Sequence, residues 1–143
     1  MAERRETSMI IVHHSAGLNG NAQIFRDFHV HQRGWEDIGY HFVICNGHGG
    51  GDGEIETGRA ENLVGAHAGN PHPSRNRFSV GICLVGENIF TPEQLKSLKA
   101  KLIELCRKYH IVPSAQTIQR HHPDCPGTGL NLEAIIAQVQ KEL

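Results

Sequence analysis

The chain has 143 residues and a mass of 15.8 kDa, with 38% hydrophobic and 20% charged residues, a size at which one domain buries roughly two-thirds of its unfolded surface. No apolar run approaches the roughly 18 residues of a membrane span, and a formal net charge of −1 supplies no basic excess for a phosphate backbone. Neither membrane nor nucleic acid is therefore an expected partner, and a single domain over residues 1–143, acting as a monomer, is the expected organisation.

The amino terminus is charged and runs directly into an apolar segment, without the longer apolar stretch and small-residue cleavage site of a secretory signal. Synthesis in the cytoplasm is the expectation. Cys45, Cys83, Cys106 and Cys125 show no paired spacing, so thiols that are core residues or metal ligands are expected rather than a disulfide framework. Eleven histidines are a compositional hint of metal chemistry, since imidazole is the commonest metal ligand.

In chain order, Met9-Ile-Ile-Val-His-His14 is an unbroken apolar run ending in polar groups, the pattern of a buried central strand that opens into a site. After a Gly-rich turn, Asn21 caps a predicted helix with Ile24, Phe25 and Phe28 on its apolar side, stopping near Gly34. Tyr40–Cys45 has strand composition, and residues 54–57 are its expected antiparallel neighbour across the flexible loop 46–53. The glycines of that loop lack the Lys-Ser/Thr and following helix of a phosphate cradle.

Residues 60–78 are rich in Gly, Asn, Pro, His and Arg and predict a surface loop. Ser79–Val85 returns to an unbroken apolar run, read as a second central strand. Thr91-Pro92-Glu93-Gln94 is a capping box with proline at the first helical position, followed by Leu95, Leu98, Leu102, Leu105, Cys106 and Tyr109 at helical spacing. A short strand at 116–120 and a last helix capped by Asn131, with Leu132, Ile135, Ile136 and Val139 inward, complete the chain. These elements predict an α/β fold, a mixed central sheet flanked by helices.

Catalytic zinc takes three protein ligands and leaves one position for water. His13, at the end of the first strand, and the His121-x-x-x-Cys125 unit in a turn stiffened by Pro123 and Pro126 can supply two imidazoles and a thiolate. Local spacing alone supports this weakly, because adjacent histidines also cap strand ends. His14 and His41 neighbour site candidates, but successive strand side chains face opposite sides, so both read as supporting or packing residues.

The ordered blocks Ile-Val-His-His-Ser-Ala, Arg-Gly-Trp-Glu-Asp-Ile-Gly-Tyr-His-Phe-Val-Ile, Glu-Thr-Gly-Arg, Val-Gly-Ala-His-Ala, Ser-Val-Gly-Ile-Cys-Leu-Val-Gly and His-His-Pro-Asp-Cys-Pro-Gly together resemble the phage-type zinc N-acetylmuramoyl-L-alanine amidases, which share the fold of peptidoglycan recognition proteins. The resemblance runs from about Met9 to Gly127. It implies a zinc ion held by His13, His121 and Cys125, with Tyr40 beside the reacting water, and hydrolysis of the bond between N-acetylmuramic acid and L-alanine in peptidoglycan. It further suggests Trp35 and His67 as substrate-groove residues and an endolysin role, the enzyme reaching the wall after release.

Three departures from the family pattern stand out. The compact spacing before Cys125 leaves His122 as a rival to His121. Pro123 occupies the position of a lysine frequent in phage members, which raises a rival reading as a non-catalytic peptidoglycan-binding module. Cys83 stands where other branches carry a glutamate base, leaving Tyr40 as the polar partner.

Overall fold

The computed structural model describes residues 1–69 and 72–143. Five strands, β1 (Met9–His14), β2 (Phe42–Ile44), β3 (Ile55–Thr57), β4 (Ser79–Leu84) and β5 (Ile118–Arg120), form one sheet in the order β3-β2-β4-β1-β5. All neighbours are parallel except the β2–β3 hairpin. The mixed α/β architecture expected from the sequence is the one observed.

Three helices cover this sheet: α1 (Ala22–His31), α2 (Pro92–Tyr109) and α3 (Leu132–Glu142). The unbroken apolar runs of β1 and β4 follow from burial on both faces. One face carries Ile10, Val12, Val80, Ile82 and Leu84 against Leu98, Leu102 and Leu105 of α2 and Ile135, Ile136 and Val139 of α3. Each fully buried leucine there contributes about 1.5–3 kcal/mol. The smaller cluster, Ala22, Ile38, Val43, Cys45 and Val85, with Phe25 and Tyr40 packed against it, includes residues of α1.

Local chemistry sets the helix ends. Thr91 accepts from the Gln94 N–H while the Gln94 side chain takes the Thr91 N–H, a complete capping box, and His110 closes the helix in the left-handed region at φ 56°. Gln94 is fully buried because its Nε2 donates to the carbonyls of Ile44 and Val85, tying the start of α2 to the ends of β2 and β4. Asn21 and Asn131 cap α1 and α3 through their side-chain oxygens.

Several expectations change. The helix at 22–31 does not bury its apolar side: Ile24 is 49% and Phe28 47% exposed, while Ala22 and His29 are buried. Phe25 and Phe28 instead wall a cavity with Tyr40. The strand expected from Tyr40 begins at Phe42, and the segment read as loop ends in a 3-10 helix, Pro73–Phe78, started by proline. That short helix turns out to organise the site.

Candidate metal centre and cleft

Parallel pairing explains how distant residues meet. Val12 of β1 lies opposite Arg120 of β5, and the His121 N–H donates to the Val12 carbonyl at 3.3 Å, so both strands end side by side and carry His13 and His121 to one place. Their ring centroids lie 4.7 Å apart. In open α/β sheets the carboxyl ends of strands are where ligand sites form.

The chain then turns back at once. His122 and Cys125 form a bridge, with the Cys125 N–H donating to the His122 carbonyl at 2.9 Å and the reverse bond at 3.2 Å. This turn, which includes a cis Cys125–Pro126 bond, carries the Cys125 thiol back over β1. Its sulfur lies 4.0 Å from His13 Nδ1 and 3.4 Å from His14 Nδ1. One ligand atom each from His13, His121 and Cys125 falls within 4.8 Å of the others.

The donor set fits a zinc-type ion on two further grounds. His121 Nε2 is buried and has no hydrogen-bond partner, the one such side-chain nitrogen or oxygen among the described residues. A buried polar atom without a partner costs free energy unless something occupies its lone pair. His122, by contrast, is exposed and its Nδ1 accepts the Asp124 N–H. The local geometry thus brings His121, rather than His122, to His13 and Cys125.

Electrostatics favours neutral imidazoles. Burial drives His13 and His67 well below the ordinary histidine value, and burial with the neighbouring His122 and Arg75 lowers His121 to about 4. Burial raises the Cys125 thiol, against which the His14 backbone works. The two imidazoles therefore stand ready to coordinate, whereas Cys125 must lose a proton as a metal binds.

Tyr40 lies beside this cluster, its ring 5.3 Å from that of His13. The neighbouring Cys83 sulfur, burial and Cys125 hold its hydroxyl well above the usual phenol range, so it is a neutral donor. A cleft of about 500 Å³ opens here, lined by His29, Arg33, Trp35, Tyr40, Asn76 and His121 among others. Trp35 forms part of its wall, packed 4.5 Å from the His29 ring with the Arg33 guanidinium 5.5 Å over it.

His67 is placed differently from a simple groove residue. It touches the cleft but is buried, with Nδ1 at 2.9 Å from His13 Nε2 and Nε2 at 3.2 Å from the Ser79 hydroxyl. His41 is a packing residue, fully buried and accepting the Gly81 N–H on Nδ1. Sequence reasoning missed Arg75, Asn76 and Ser79. Asn76 Oδ1 accepts the N–H groups of His67 and Ala68, and Arg75 donates to the carbonyls of Arg120 and His121. No spacing marks such roles, because the partners lie 8 to 46 positions away in sequence.

Fold and cluster together place a candidate metal-ligand set, His13, His121 and Cys125, beside a neutral hydroxyl at the mouth of an open cleft. Residues 3–128 match the family model described as N-acetylmuramoyl-L-alanine amidase, and the chain belongs to that family. It is 36% identical over 135 residues to an endolysin of Klebsiella phage KP32, covering 87% of this chain and 80% of the relative. The amidase LysC from Clostridium intestinale URNW superposes with a TM-score of 0.81 at 36% identity, over 94% of this chain and 85% of that one. A mutant of Drosophila PGRP-LB in complex with tracheal cytotoxin matches with a TM-score of 0.70 at 31% identity, over 93% and 86% of the two chains. The family expected from the sequence blocks is the family found, and the chain is an N-acetylmuramoyl-L-alanine amidase.

Proposed function

We propose that His13, His121 and Cys125 hold a zinc ion and that the chain cleaves the amide between the lactyl group of N-acetylmuramic acid and L-alanine, in the manner of a phage or prophage endolysin. The observation that carries the metal reading is the buried, unpartnered His121 Nε2 close to His13 and Cys125. When bound, zinc supplies Lewis acidity, activating water and polarising a carbonyl. The chain's own contribution is to orient and exclude. Tyr40, neutral and half-buried, donates a hydrogen bond to the oxygen on which charge develops. Trp35 lines the groove that receives the glycan and stem peptide, and the buried His67 touches its floor.

Pro123, where the phage relatives' lysine was expected, removes one cationic helper, so Tyr40 carries more of the burden. Digestion of purified cell walls tests the reading. Zinc-loaded protein should release new amino-terminal alanine, a chelator should abolish the release, and added zinc should restore it. Zinc-loaded protein that binds walls and releases none would instead be a binding module on the same fold.

A further inference from the structure

We propose that His67 and Ser79 form a one-directional hydrogen-bond relay, ending on the Arg75 carbonyl, that locks His13 in the tautomer whose Nδ1 lone pair faces the metal position. The inference rests on the reading of His13 as a ligand. It makes His67 and Ser79 positioning residues.

The direction of the relay follows from its far end. The Ser79 hydroxyl lies 2.7 Å from the Arg75 carbonyl, and a carbonyl only accepts, so the single hydroxyl proton is committed there. Ser79 Oγ must therefore accept at its other contact, 3.2 Å away, from His67 Nε2–H. A neutral imidazole carries one N–H, which leaves His67 Nδ1 as a lone pair. At 2.9 Å that lone pair accepts from His13 Nε2–H. His13 Nδ1 is then left unprotonated, and it is the nitrogen that faces Cys125 Sγ.

The relay is held in a fitted slot. A Cβ on Gly81 would lie 2.4 Å from the His67 ring, and one on Gly65 would lie 2.6 Å from it. The two glycines thus leave room for the imidazole and nothing wider. Asn76 fixes the His67 backbone from the other side. Reversing the relay would point an N–H of His13 at the metal position, and histidine ligands generally depend on such outer partners for tautomer and orientation.

The test uses the zinc-loaded full chain. Nitrogen-15 spectra of its histidine rings should show zinc on His13 Nδ1 and a slowly exchanging proton on Nε2. In chelator competition, Ser79→Ala and His67→Leu should hold zinc about 10–100-fold more weakly, while His67→Gln, whose amide offers an acceptor and a donor in the same order, stays within about threefold of the parent. Zinc on His13 Nε2, undiminished affinity in Ser79→Ala and His67→Leu, or His67→Gln falling as far as His67→Leu would each overturn the relay. The ring spectra of the unaltered chain decide even where a variant fails to fold. A chain that binds no zinc would overturn the metal reading along with it.

Discussion

At the scale of single residues, the chemistry concentrates on Tyr40 and the three ligand candidates. Tyr40 is neutral because Cys83 and burial raise its pKa, and a neutral hydroxyl donates without competing for the metal. Tyr40→Phe should keep bound zinc while lowering kcat on cell walls by about 10²–10³, the usual cost of losing one oxyanion donor. Metal analysis beside the rate separates the two effects, and unchanged turnover would remove Tyr40 from the reaction. His13, Tyr40 and Cys125 were legible as sequence blocks. His121 was preferred with His122 as its rival, and what separates the two lies outside the sequence: the β5 end brings the His121 ring to His13, while His122 is exposed with its Nδ1 taken by the Asp124 N–H.

Among the elements, α2 was read from sequence almost to the residue, since capping box, proline and leucine spacing all act locally. Thr91→Ala should cost about 1 kcal/mol of stability, seen as a lower Tm with wall hydrolysis unchanged at 25 °C. An unchanged Tm would show the capping box to be redundant with the Gln94 bonds into the sheet. The first helix forms where its cap and spacing predict, but Phe28 and Ile24 stay exposed along a cavity beside Tyr40 while Phe25 packs on the smaller core cluster, and spacing cannot distinguish a cleft wall from a core face. The 3-10 helix at Pro73–Phe78 was missed since its side chains serve distant partners, and the six residues Pro-Ser-Arg-Asn-Arg-Phe look like any loop.

On the scale of the whole molecule, buried histidines make the fold sensitive to acid. His41 is fully buried and its pKa is lowered to about 4, by burial above all, with the Leu63 carbonyl opposing. The unfolded chain binds that proton near 6.5, so the folded state keeps its full advantage above that pH. It loses it as pH falls toward 4, at about 1.4 kcal/mol per pH unit for one such histidine. Melting of the metal-free protein should therefore show Tm dropping across this window, with a shallower drop in His41→Gln; a flat Tm would refute it. The sheet order could not be read from sequence, and it is what matters most here, because β5 beside β1 brings residue 121 to residue 13.

Zinc K-edge absorption of the loaded full chain reads the metal centre itself. One sulfur at about 2.3 Å and two imidazole nitrogens at about 2.0–2.1 Å are expected, with one imidazole lost in His121→Ala and the shell intact in His122→Ala. A shell without sulfur, or one that loses its imidazole in His122→Ala and keeps it in His121→Ala, would contradict a centre built from His13, His121 and Cys125.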